Sequence, residues 1–166
     1  MEFQIDHLMD HPEHTRLVAE WIYREFWQGR DRYSADDLEG LLRQATDRER
    51  IPLSLIAVAG GRPVGTVNLI DNDDPTRPQL HPWLAALLVI PEYRGRGIGA
   101  ALVRALLGEA KRLGYEEVFL GADIPAFYSR LGAEHFEQAT ETLSILRFRL
   151  PGAGSEPGSQ AGLNSP

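Results

Sequence analysis

The sequence predicts a single-domain fold of the α/β (α+β) class, and three features predict it. Runs with the two-residue period of strands alternate along the chain with runs at the 3.6-residue period of helices. Two neighbouring apolar runs closed by a pair of glycines read as a β-hairpin. With 166 residues, 43% of them hydrophobic, the chain can build one well-buried core, and two domains would be undersized.

Residues 3–8 alternate apolar and polar side chains and predict an edge strand, after which Asp10-His11-Pro12-Glu13 supplies a turn and a helix start. A helix is expected over residues 15–27. Its apolar Leu17, Val18, Trp21, Ile22, Tyr23, Phe26 and Trp27 cover more than one face, so part of that surface is core and part is core or cleft lining. Ser34 is placed to cap a second helix that carries Asp36 and Asp37 in its first turn and ends near Arg48.

Residues 53–59 and 64–70 flank Gly60-Gly61-Arg62-Pro63, where glycine supplies the positive φ angles of a tight reversal. The loop 71–82 carries Pro75, Pro78 and Pro82, which interrupt regular structure. Residues 84–90 then run almost unbroken apolar and predict a central fourth strand buried on both faces. A broad apolar stripe over residues 97–113 predicts a long helix stopped by Gly114, and a short strand follows at 117–120. Pro125 opens a short helix through Arg130, and two last strands occupy about 134–140 and 143–150. These elements place the domain at residues 1–150. Residues 151–166 are rich in Gly, Ser and Pro with almost no bulky apolar group, so a disordered tail is expected there.

Composition removes several kinds of chemistry. The chain has no cysteine, which excludes disulfides, thiolate metal sites and a cysteine nucleophile. The start Met1-Glu2-Phe3-Gln4 has no basic segment followed by an apolar one, and the longest apolar run, residues 83–90, is too short to span a bilayer. A cytoplasmic protein without a membrane partner is expected. A net charge of −7 opposes nucleic-acid binding and suits an amine or other cation better.

The chemistry concentrates in Arg94-Gly95-Arg96-Gly97-Ile98-Gly99-Ala100-Ala101, which joins the central strand to the long helix. Backbone N–H groups at a helix N-terminus lack intrahelical partners and carry the positive end of the helix dipole, so they bind a diphosphate when no Cβ obstructs it. Gly95, Gly97 and Gly99 remove that obstruction, and Arg94 and Arg96 can add charge-assisted hydrogen bonds. The spacing Gly95-Arg96-Gly97-Ile98-Gly99-Ala100 also fits a dinucleotide fingerprint. A hairpin precedes it, however, and Glu116 and Glu117 open the next strand instead of an acid ending it. A triphosphate loop would need a Gly-Lys-[Ser/Thr] ending, which is missing.

Arg94, Gly97 and Gly99 meet the pattern [Q/R]-x-x-G-x-[G/A], and Phe127-Tyr128-Ser129-Arg130-Leu131-Gly132 is similar to an F-Y-x-x-L-G segment. With the order of elements over residues 1–150, these motifs resemble the GNAT-type N-acetyltransferases. Ala133 stands where an aromatic residue often follows in that family. The resemblance implies a mixed, mostly antiparallel central sheet with flanking helices, splayed between strands 4 and 5 around acetyl-CoA. It implies that Leu88, Val89 and Ile90 pair with the pantetheine arm, that the pyrophosphate lies over residues 96–101, and that Tyr128 is the general acid that protonates departing CoA. The expected acceptor is an amine on a small molecule, peptide or protein. A silent acyl-CoA-binding or sensor domain is the alternative.

An alkyl amine is mostly protonated at neutral pH, so something must take its proton. Strand 4 offers no ionisable residue between Leu84 and Ile90. His81 is the candidate general base, with Asp73, Asp74 and Asp123 as others acting through water. Asp71-Asn72-Asp73-Asp74 lacks the glycine and glutamate of a calcium loop and reads as a solvated turn. His7, His11 and His14 cross from strand through a proline turn into helix, so no shared metal geometry and no metal are expected.

Overall fold

The computed structural model describes residues 2–152. Seven strands form one sheet in the order β1-β2-β3-β4-β5-β7-β6. β1 (Gln4–His7), β2 (Leu53–Ala59), β3 (Arg62–Ile70) and β4 (Trp83–Val89) are antiparallel neighbours. β5 (Glu117–Ala122), β7 (Ser144–Arg149) and β6 (Glu134–Gln138) form a second antiparallel set. β4 and β5 join the two sets in parallel.

Helices cover both faces. α1 (Thr15–Ile22) and α2 (Ala35–Leu42) bury Val18, Ala19, Ile22 and Leu38 against Ile56 and Val58 of β2. α3 (Ile98–Arg112) lies on the opposite face and buries Ile98, Leu102, Val103 and Leu106 with Leu55 and Ala57. Successive residues of β2 thus serve opposite cores, as the pleat requires. A short α4 (Ala126–Ser129) puts Phe127 and Tyr128 on the α3 side.

Local signals set most boundaries. Ser34 accepts a hydrogen bond from the N–H of Asp37 at 3.1 Å, while Asp37 accepts from the N–H of Ser34 at 2.9 Å, a reciprocal cap. Gly60 and Gly61 turn the β2–β3 hairpin at φ of 58° and 76°. α2 stops at Leu42, short of Arg48, because the N–H groups of Gln44 and Ala45 tighten onto carbonyls three residues back. The helix expected over residues 15–27 is α-helical to Ile22 and continues as a wider π turn over Tyr23–Trp27, closed by Gln28 N–H on the Tyr23 carbonyl. The tail expected at 151–166 lies outside the described residues apart from Pro151 and Gly152, which are exposed.

Candidate active site

The parallel strands β4 and β5 meet only where Trp83 lies opposite Phe119, and the Phe119 N–H donates to the Pro82 carbonyl at 2.9 Å. Beyond that point they diverge and leave a wedge. Trp83 is its buried foot, with the indole N–H on the Leu80 carbonyl at 2.7 Å and the ring tilted against Phe119. The burial expected on both faces of β4 holds only at this foot. Residues 85–89 are half-buried because no strand covers their edge beyond it.

A bulge reshapes β4 inside the wedge. Thr66 faces Leu88 and Asn68 faces Ala85, so one residue of β3 opposes two of β4, and Ala86 takes a φ of 52°. The extra residue inverts the pleat. Leu84 faces the α3 core, Ala86 and Leu88 face the α1/α2 core, and Leu87 and Val89 return to the α3 side. Of the residues expected to pair with a pantetheine arm, Ile90 has its N–H committed to the Val64 carbonyl at 2.9 Å. Strand alternation then turns the N–H groups of Val89 and Leu87 to the open edge. Leu87 and the bulge at Ala86 were not legible, since Ala85-Ala86-Leu87 holds no glycine or proline to mark an irregularity.

The open end of β4 leads through Pro91–Tyr93, a 3₁₀ turn, to the glycine segment. Gly97 caps α3 at φ 82°, ψ 4°, a left-handed conformation that costs side-chain-bearing residues about 1–2 kcal/mol. The first intrahelical bond runs from Ala101 N–H to the Gly97 carbonyl at 3.1 Å, so the N–H groups of Ile98, Gly99 and Ala100 precede the ladder. Ile98 is buried as the anchor, while Gly95, Arg96 and Gly97 are exposed. Arg94 donates through Nε to the Val89 carbonyl at 2.8 Å and so ties the turn back to the strand. The Arg96 guanidinium lies 5.2 Å from the centre of the Tyr93 ring. This cradle fits a diphosphate: unbonded N–H groups, a helix dipole and no Cβ in the approach.

Tyr128 is half-buried beside the α3 core, with Phe127 edge-on at 5.0 Å. Burial pushes its phenol up to about 12, so the group is a neutral donor throughout the physiological range.

The loop between β3 and β4 is braced from within. Asn72 donates to the carbonyls of Arg77 and Leu80, Asp74 accepts from Thr76 at 2.6 Å and Arg77 at 2.7 Å, and Arg77 also pairs with Glu137 of β6 at 3.1 Å. Those bonds hold the Asp74 carboxyl below its ordinary range. Asp73 differs from both neighbours: among the described residues it makes no hydrogen bond and no close ion pair. Asp73 is exposed by surface area, yet the loop and its neighbours crowd the carboxyl enough to desolvate it and push it up to about 6, against the pull of nearby Arg32 and with a push from Asp74. His81 is exposed at the foot of β4, 3.7 Å from Asp71 and edge-on to Tyr115. Among the described residues no hydrogen bond or ring contact joins it to Tyr128. Asp123 is exposed just past β5. No helix among the described residues is long and apolar enough to cross a membrane.

A family model described as the acetyltransferase (GNAT) family matches residues 15–133. The chain is 43% identical over 65 residues to N-acetyltransferase 8B of Homo sapiens, a stretch covering 39% of this chain and 29% of the human protein. It is 32% identical over 84 residues to N-alpha-acetyltransferase 30 of Schizosaccharomyces pombe, covering 48% of this chain and 55% of the yeast protein. Both matches span less than two thirds of those relatives. Among solved structures, the PaiA N-acetyltransferase of Thermoplasma acidophilum in complex with coenzyme A aligns with a TM-score of 0.67 at 21% identity, over 90% of this chain and 100% of that one. Aminoglycoside 6'-acetyltransferase type Ii aligns with a TM-score of 0.66 at 19% identity, over 90% and 97%. At such identities the solved structures share the fold.

Proposed function

The chain belongs to the acetyltransferase (GNAT) family, and from that premise we propose that it transfers the acetyl group of acetyl-CoA directly to an amine. The wedge carries this reading. It is an uncovered strand edge, bulged at Ala86, that leads straight to the unobstructed N-terminus of α3. A linear ligand with a diphosphate at one end and a hydrogen-bonding amide arm fits that shape.

In this reading the N–H groups of Ile98, Gly99 and Ala100 hold the diphosphate, with the cationic side chain of Arg96 beside them. The open edge at Val89 and Leu87 orients the amide arm. When bound, acetyl-CoA supplies an activated acetyl group on sulfur. Tyr128 donates its phenolic proton toward that sulfur as the acetyl group leaves. No covalent intermediate on the protein is needed, since the chain has no cysteine and no serine–histidine pair was evident in its sequence.

The amine must first lose a proton. His81 and Asp73 both lie in the loop that ends at the foot of β4. Both are exposed, and either can take the proton through water; a carboxyl raised to about 6, as at Asp73, is ionised at neutral pH and still basic enough for that. The names of the relatives, N-acetyltransferase 8B and N-alpha-acetyltransferase 30, favour an amine acceptor. The test is thiol release from acetyl-CoA by the purified full chain across a panel of small amines and peptide N-termini, with the acetylated product identified by mass. Amine-dependent release supports the reading. Saturable acetyl-CoA binding without release would favour the silent acyl-CoA-binding domain.

A further inference from the structure

We infer that His11, Glu13 and His14 form a binding site for a divalent metal ion of the zinc class at the junction of β1 and α1. The chain leaves β1 through a 3₁₀ turn at Leu8–Asp10 and enters α1 through a second at Pro12–His14. Side chains three residues apart eclipse on such a helix, so His11, its N-cap, and His14 come onto one face. Their rings lie 5.9 Å apart and are inclined by only 20°. His7 stays outside the group, facing Glu109 at 3.7 Å.

The distances suit a shared ion better than hydrogen bonds. Glu13 Oε1 is 3.8 Å from His11 Nδ1 and 3.6 Å from His14 Nε2. Both exceed hydrogen-bond length, which runs to about 3.2 Å. Ligand atoms around a tetrahedral ion at about 2.0–2.1 Å stand about 3.4 Å apart, so a small contraction closes the site. One donor atom from each of the three residues lies within 4.8 Å of the others.

A second observation points the same way. The other nitrogen of His11, Nε2, is 2.8 Å from Oδ2 of Asp6, which also accepts from Gln4 Nε2 at 2.9 Å. A carboxylate on the far nitrogen fixes the tautomer that leaves Nδ1 as a lone-pair donor, the arrangement that orients metal-bound imidazoles. Two imidazoles and one carboxylate form a borderline donor set suited to zinc, nickel or copper, with a fourth position for water.

Isothermal titration of the untagged full chain with zinc chloride at pH 7.4 tests this. One ion per chain should bind, with a rise in melting temperature. His11→Ala and His14→Ala should each remove stoichiometric binding, Glu13→Gln should weaken it, and Asp6→Asn should weaken it about tenfold or more through the orientation of His11. The four side chains are at least partly exposed, so circular dichroism should show the variants folded. No stoichiometric binding by the wild type, or zinc affinity unchanged in His14→Ala, would overturn the assignment.

Discussion

Phe127 of α4 rests on Gly99 in the first turn of α3: a Cβ built on Gly99 would lie 3.4 Å from Phe127 Cζ and 3.9 Å from Val89 Cγ2. One glycine thus brings together the strand edge, the helix N-terminus and the segment that carries Tyr128. The two sequence motifs, almost thirty residues apart, are in contact, and each reads as part of one site.

Gly99→Glu should therefore reduce acetyl-CoA affinity by more than about 100-fold. Its side chain would leave the first turn of α3 toward Phe127 and Val89, where it displaces that contact and adds a negative charge beside the diphosphate cradle; like charges about 4 Å apart repel by about 4 kcal/mol at an effective dielectric of 20. The backbone there is ordinary helix, so the fold should persist. Titration of acetyl-CoA into the folded variant measures it, and wild-type affinity would remove the cradle from the account.

Arg94→Ala should act mainly on the turn. Loss of the Nε bond to the Val89 carbonyl should cost about 0.5–1.5 kcal/mol in chemical denaturation, toward the low end because the side chain is exposed. Acetyl-CoA affinity should fall with it. Arg94→Lys should restore little, since an ammonium cannot reproduce the geometry of Nε.

Asp73→Asn should change the acid limb of the pH profile. If the Asp73 carboxylate takes the amine proton, kcat/KM should rise with pH through about 6 in the wild type and lose that inflection in the variant. Stability supplies a separate readout. A carboxyl raised in the folded state keeps its proton longer than in the unfolded chain, so stability falls as pH climbs from 3.8 to about 6. The asparagine variant should be the more stable above that interval, and an unchanged acid limb would shift the base role to another group.

Tyr128→Phe keeps the ring against the α3 core and deletes the proton donor. Maximal rate should drop by about 10² to 10⁴ with acetyl-CoA affinity preserved. Because burial pushes the phenol up to about 12, no alkaline loss of activity below about pH 11 should trace to it. A drop of less than about threefold in single-turnover experiments would mean that Tyr128 only packs.

Much of this was legible where one residue type has one physical use. Gly60-Gly61 could only reverse the chain, Ser34 announced a helix cap, and the glycine segment after β4 foretold an open helix N-terminus. The exposure of β4 was not legible, because an apolar run looks the same whether protein covers it or a ligand site lies open beside it. Its bulge was hidden for a related reason: Ala86 adopts a positive φ that alanine does not advertise. The meeting of His11 and His14 depended on a 3₁₀ turn where only a proline turn was foreseen. The desolvation of Asp73 depends on protein packed around the loop, which spacing within the loop cannot reveal.

The central claim is direct acetyl transfer to an amine at the β4–β5 wedge. Rapid-quench single turnover with acetyl-labelled acetyl-CoA, excess enzyme and a productive amine tests it most directly. Free thiol and acetylated amine should appear at one rate, with no label on the protein. A burst of thiol ahead of product, acetyl label retained on the chain, or no amine-dependent thiol release would contradict it.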